Sequence, residues 1–177
     1  MYVGFATVGI FVYWYVFDQN ADGHTLITFG ELMGWGKCAT WTGFKATPFY
    51  DLSFEKDACS YFTAGKVKAS TLSLTVLVMI EMLSAFNALS EDGSLVQMPP
   101  WTNPWVILAC MGSVLTHFVI LYVPFLAKIF AVCPLDMHDW VLVMSFSMPV
   151  IFIEEVLKFF GRQHQKKHLQ KISSKQD

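Results

Sequence analysis

The sequence predicts an all-α membrane protein, with four transmembrane helices and one long loop between the first and the second. Composition supports this fold class. Hydrophobic residues make up 54% of the 177-residue chain and charged residues only 15%, whereas soluble domains carry about 25% charged residues. The mean hydropathy is +0.45. Four apolar stretches alternate with polar segments, and each approaches the roughly 20 residues that a helix needs to cross a bilayer.

The first predicted span covers residues 1–17, which are apolar almost throughout. No basic segment precedes this stretch and no small-residue cleavage site follows it, so it does not resemble a secretory signal peptide. We expect a transmembrane helix that the chain enters part-way, as in a fragment or a shortened gene product.

The long first loop covers residues 18–68 and mixes glycine, aromatic residues and both signs of charge. Its segment Asp18–Gly23 is similar to the opening of an EF-hand calcium loop. Such a loop needs a bidentate glutamate at its twelfth position, and Phe29 occupies that position here. We therefore expect a polar turn leaving the membrane.

The second predicted span, residues 70–89, carries one carboxylate, Glu81, near its centre. A charge at that depth costs on the order of 2.5–3.5 kcal/mol on insertion scales, so the group should have a partner. Helical spacing places Ser84 and Ala85 near Glu81, and small residues let membrane helices approach closely. We expect Glu81 to point into a helix–helix contact, as an ion ligand or proton carrier. The alternative is a protonated or hydrogen-bonded structural glutamate.

The third predicted span covers residues 105–125 and contains His117. No second histidine, cysteine or carboxylate stands at metal-binding spacing around it. We expect His117 to be packed and hydrogen-bonded within the bundle.

The fourth predicted span covers residues 140–160 and contains Pro149, which removes one helical hydrogen bond and predicts a kink. Glu154 and Glu155 lie near its end. Because Glu154 and Lys158 are four residues apart in the favourable order, we expect a structural ion pair within the helix.

The tail, residues 161–177, is polar and basic. Its lysines are denser than those of the first loop, which favours a cytosolic tail, although the two totals are nearly equal. Cys38 and Cys59 of the loop can pair if the loop faces an oxidising compartment. They are free thiols if the loop faces the cytosol.

The order of residues resembles a known family over nearly the whole chain. Val78–Met82 followed by Asn87–Trp101 is similar to the eighth membrane helix, and the loop after it, of endoplasmic-reticulum-type calcium pumps, which are P-type ATPases. Tyr2–Gly9 resembles the seventh helix of these pumps, His117–Val123 the ninth and Pro149–Phe160 the tenth. The chain therefore resembles the C-terminal membrane region of such a pump, closest to plant-type members.

The resemblance implies roles for three residues. Glu81 corresponds to the glutamate that the eighth helix contributes to one of two transmembrane calcium sites, and Cys38 and Cys59 to a disulfide in the luminal loop. It also implies a luminal first loop, a cytosolic tail and an endoplasmic reticulum membrane. Ser84 stands where many relatives have asparagine, which puts the packing beside the site in question.

The resemblance also implies what the chain needs from elsewhere. Calcium would be the transported ion, and ATP and magnesium would bind a headpiece that this sequence lacks, so the chain should not hydrolyse ATP alone. Its partners would be the lipid bilayer and the remaining helices and cytosolic domains of a pump. We expect no nucleic-acid partner.

Two other classes of protein share features of this sequence. A pump-derived four-helix protein that does not transport would act as an interaction partner, with Glu81 as an interhelical hydrogen-bonding group. A claudin-like junction protein shares four spans and a first loop with Trp35, Cys38 and Cys59, but its cysteines are much closer together.

Overall fold

The computed structural model describes residues 2–18, 23–48, 53–54, 57–88 and 104–173. This part of the chain is helical and contains no strand. The helices are α1 (Tyr2–Val16), α2 (Phe29–Met33), α3 (Val67–Ala88), α4 (Pro104–Tyr122), α5 (Pro124–Phe130), α6 (Met137–Ser147) and α7 (Pro149–Ser173), with 3₁₀ helices at Trp35–Thr40 and Ala58–Phe62 in the long loop.

Three sequence segments discussed above lie wholly or partly outside the described residues. They are most of the EF-hand-like segment (19–22), the connection between the second and third spans (89–103) and the end of the tail (174–177).

Helix α3 is the centre of the bundle and contacts α1, α4, α6 and α7. Its residues Leu72, Val76 and Ile80 are fully buried, as are Ile10 on α1 and Val143 on α6. Between membrane helices such side chains stabilise the bundle through van der Waals packing, since lipid tails are as apolar as they are. The apolar core therefore forms where α1 and α6 pack against α3.

Two hydrogen bonds fix α1 against its neighbours. The Ser73 hydroxyl of α3 donates to the carbonyl oxygen of Thr7 at 2.7 Å. The Tyr2 hydroxyl donates to the carbonyl oxygen of Phe146 on α6 at 2.6 Å. Such interhelical bonds are favoured in membranes because no water competes for the polar groups.

Two described helices are long and apolar enough to cross a bilayer, Ala58–Ala88 and Met137–Gly161, if the 3₁₀ turns before α3 and the break before α7 are included. A third crossing exists if Ile107–Tyr122 and Pro124–Phe130 act as one bent span. Helix α1 is apolar but shorter, at 15 residues. The all-helical architecture is confirmed, whereas the number of four spans stays a prediction.

Two prolines shape the second half of the chain. The axis turns by 94° between Ile107–Tyr122 and Pro124–Phe130, because the extended backbone of Val123 precedes Pro124, a residue that disfavours helix before it. The third helix thus ends at Tyr122, short of the predicted residue 125. Pro149 begins α7 after a one-residue turn at Met148, so the helix is interrupted next to the proline, which lacks a backbone N–H. The expected kink stays a prediction.

The long loop packs on the end of α1 through aromatic rings. Tyr61 is fully buried, its ring centroid lies 5.5 Å from that of Tyr15, and its hydroxyl donates to the carbonyl oxygen of Thr25 at 2.7 Å. A capping box begins α2, where the backbone N–H and hydroxyl of Thr28 donate to Glu31 and lower the pKa of that carboxyl. The end of the bundle beneath this loop is called the loop end below.

Candidate cation site on the central helix

Glu81 lies on α3 with its side chain exposed. It borders an open groove of about 660 Å³ between α3 and α4. Most of the groove wall is apolar, and its polar side chains on α4 are Ser113, Thr116 and His117. Our expectation that Glu81 points into a helix–helix contact is not met among the described residues, because the side chain is exposed at the edge of this open groove.

The reason lies in the geometry of α3. Ser84 donates a hydrogen bond of 2.5 Å to Glu154 on α7. Residues three apart differ by about 60° around a helix axis. Glu81 therefore faces the α4 groove while Ser84 faces α7, although the sequence pattern placed both on one face.

No hydrogen bond or ion pair reaches the Glu81 carboxylate from the described residues. The nearby imidazole of His117 is engaged elsewhere, since its Nε2 lies 3.0 Å from the hydroxyl oxygen of Thr75. His117 is also buried. This confirms that His117 is packed and hydrogen-bonded, and it leaves Glu81 without a protein counter-charge in the groove.

A second polar group joins α3 to α7. Glu154 accepts hydrogen bonds from the Ser84 hydroxyl and, at 2.6 Å, from the side-chain amide of Asn87. Lys158 donates to the amide oxygen of Asn87 at 2.9 Å and to its backbone carbonyl. Glu154 and Lys158 thus have the structural role expected of them, but the observed bonds join them to α3.

Asn87 is the centre of this network, and replacing it by leucine should lower the free energy of unfolding by about 2 kcal/mol. Two hydrogen bonds to charged groups disappear, each worth roughly 1.5–3 kcal/mol. Half-buried Glu154 and Lys158 then interact with each other and with water, and these interactions offset part of the lost free energy. Unfolding in detergent micelles measures the difference. The control is Ser145→Ala, whose exposed hydroxyl bonds only to its own helix. An equal effect in both variants would contradict the role of Asn87.

Charged residues also meet at the loop end. Lys68, at the start of α3, lies with its Nζ 2.5 Å from Asp139 Oδ2 of α6 and 3.4 Å from Asp136 Oδ2. Asp139 also accepts the Asp136 backbone N–H at 2.7 Å. Asp18, just after α1, lies beside His138, with 3.7 Å between the carboxylate and Nδ1. Asp18, Lys68 and Asp139 are buried.

Sequence reasoning missed this cluster because its members stand far apart, at positions 18, 68 and 136–139. No single helix carries the pattern. The available signal was Lys68 itself, a charged residue directly before a long apolar run, which often has a carboxylate partner.

In the long loop, the sulfur atoms of Cys38 and Cys59 lie at disulfide distance, 2.06 Å, and close a separation of 21 residues. Cys110 and Cys133 are free and buried in the bundle. A cross-link between the two 3₁₀ helices holds the loop segments that pack around Tyr61.

The double variant Cys38→Ser with Cys59→Ser removes this cross-link and should lower the free energy of unfolding of the loop by about 3 kcal/mol. The reason is that the disulfide no longer restricts the unfolded chain. Reduction should lower the unfolding temperature of the wild type, followed by tryptophan fluorescence, and leave that of the double variant unchanged.

A second measurement counts thiols in the wild type. Maleimide labelling of the denatured wild-type chain should add two labels before reduction and four after it. Four labels before reduction would refute the disulfide.

Comparison with known proteins places this geometry in context. The sequence model of the family described as "Cation transporting ATPase, C-terminus" matches residues 1–160. Calcium-transporting ATPase 4, endoplasmic reticulum-type, of Arabidopsis thaliana is 55% identical over 92% of this chain. Calcium-transporting ATPase 2, endoplasmic reticulum-type, of the same plant is 50% identical over 98% of it. A calcium-transporting ATPase of Plasmodium falciparum is 53% identical over 92%.

The chain spans only a small part of these relatives, 16%, 18% and 13% of their respective lengths.

Proposed function

Because the chain belongs to the cation-transporting ATPase family, whose C-terminal region it matches, we propose that it forms the last membrane helices of a calcium pump. Within the pump, Glu81 supplies one carboxylate ligand to a transmembrane calcium site. The single observation that carries this proposal is the position of Glu81, an exposed carboxylate in the middle of an apolar helix.

An exposed carboxylate at this depth would face lipid if the chain stood alone. Insertion scales put that cost at about 2.5–3.5 kcal/mol, and no described side chain compensates it. The groove beside Glu81 leaves room for further protein against α3 and α4. The remaining helices of a pump, packed over this groove, would take Glu81 out of contact with lipid.

A carboxylate in such a place suits calcium, a hard cation that binds six to eight oxygen atoms. Glu81 offers two oxygens, so most ligands must come from the other helices.

The relatives also bear on where the protein resides. Two of them carry the description endoplasmic reticulum-type, which supports an endoplasmic reticulum membrane for this chain. We place the loop end at the lumen, where oxidising conditions favour the Cys38–Cys59 bond, and the basic tail in the cytosol. ATP and magnesium would act in the cytosolic domains of the pump and not on these helices.

An antibody raised against residues 163–177 tests this proposal in native membranes. We expect one band several times heavier than the 20.1 kDa of this chain. A band at 20.1 kDa alone would overturn the pump assignment. It would favour the second candidate, a four-helix partner protein whose open α3–α4 groove docks on another membrane helix.

A further inference from the structure

We propose that Asp18, His138 and Asp139 form a second cation site at the loop end, separate from the transported ion. It would hold one divalent cation of the class that accepts both imidazole nitrogen and carboxylate oxygen, such as Mn²⁺ or Zn²⁺. Lys68, beside this cluster, is thirteen residues before Glu81 on α3, or roughly 20 Å along the helix. The inference therefore does not depend on the calcium ligand proposed above.

The first support is distance. One ligand atom from each of the three residues lies within 4.8 Å of the other two. Two ligands of one cation lie at most about two bond lengths apart, roughly 4.0–5.2 Å for bonds of 2.0–2.6 Å. The three atoms can therefore bind the same ion with little movement.

The second support is the state of these atoms. Asp18 Oδ1, Asp139 Oδ1 and His138 Nδ1 are buried, and each lacks a hydrogen-bond partner. Asp18 is 3% exposed and Asp139 is fully buried. Buried polar atoms are nearly always paired in folded proteins, so three unpaired atoms on three neighbouring side chains are unusual. The 3.7 Å between Asp18 and His138 is too long for a hydrogen bond but ordinary for two ligands of one metal.

The third support is charge. Asp18, Asp136 and Asp139 contribute three carboxylates to the loop end, whereas Lys68 supplies one positive charge. Lys68 occupies the other oxygen of Asp139, Oδ2, and leaves Oδ1 available. The Asp136 side chain is 68% exposed, so water solvates its charge. The two buried carboxylates, Asp18 and Asp139, exceed the single charge of Lys68 by one, and a bound cation would offset that excess.

The donor types select the class of cation. Calcium and magnesium prefer all-oxygen sites, whereas a histidine among carboxylates suits manganese or zinc. Such a cation would join the end of α1 to the start of α6, since Asp18 directly follows α1 and His138 lies in the first turn of α6. Its effect would be to hold the base of the long loop against the bundle.

The test is a titration of the 177-residue chain in lipid nanodiscs with Mn²⁺. The electron paramagnetic resonance signal of free Mn²⁺ measures how much of the ion remains unbound. We expect one Mn²⁺ per chain, and an affinity at least tenfold lower in Asp18→Asn and in His138→Gln. Glu31→Gln, at a carboxylate of the long loop, is the matched control and should bind as the wild type does. Asp139 is left intact because it also holds Lys68.

A second readout separates lost binding from lost folding. Mn²⁺ should raise the unfolding temperature of the wild type and of Glu31→Gln, but not that of either ligand variant. His138 is partly exposed, so His138→Gln should fold even if Asp18→Asn does not. Unchanged Mn²⁺ affinity in His138→Gln would overturn the site. Displacement of Mn²⁺ by an equal concentration of calcium would overturn the assigned class of cation.

Discussion

Replacing Glu81 by glutamine in a full-length pump that contains this chain should weaken calcium binding by about tenfold to a hundredfold and abolish its cooperativity. Even residues that only support a metal ligand cost that much affinity when changed. Glutamine keeps the size of the side chain and one oxygen, but it removes the negative charge and bidentate binding. Equilibrium binding of radioactive calcium to isolated membranes measures the change.

The matched control for this prediction is Glu155→Gln. Glu155 is a half-buried carboxylate on α7, outside the groove that Glu81 borders. The same chemical change there should leave calcium affinity within about twofold. Unchanged calcium affinity in Glu81→Gln would contradict the assignment of Glu81 as a ligand. An equal loss of affinity in both variants would indicate that the substitutions disturb the helices in general.

Local sequence patterns predicted the helices well because apolar runs and prolines act on their own segment. The run around Glu81 became α3, and Pro149 interrupted the last span where expected. Within the predicted third span the apolar composition continues past Tyr122, while the backbone turns before Pro124 and ends α4. Hydropathy does not distinguish a straight helix from a sharply bent pair.

The sequence pattern identified Glu81 as a lone carboxylate in an apolar helix, but it did not predict which side chains and helices surround it. Periodicity along one helix gives the neighbours of a residue, but it does not say which other helix covers each face. Ser84 therefore seemed to belong with Glu81, whereas it bonds to α7. The loop-end cluster shows the same limit more strongly, because Asp18, Lys68 and Asp139 meet only through tertiary packing.

Lys68→Met should be the most destabilising single change in this chain that we describe, at about 3–5 kcal/mol of unfolding free energy. Lys68 and Asp139 are both buried and bonded to each other. Removing one partner of a buried ion pair leaves the other charge without compensation in a poorly solvating environment, and this is the source of the large cost. Methionine keeps most of the volume, so a cavity contributes little.

A double variant distinguishes the effect of the uncompensated charge from the effect of lost packing at Lys68. Lys68→Met combined with Asp139→Asn removes both charges and keeps a side-chain oxygen for the Asp136 backbone N–H, which Asp139 now accepts. Because replacing a whole buried pair by neutral groups is often nearly neutral, the double variant should recover most of the stability lost in Lys68→Met. Unfolding in detergent micelles provides the comparison. A double variant no more stable than Lys68→Met would mean that the lysine acts through its packing, since the uncompensated charge would then be irrelevant.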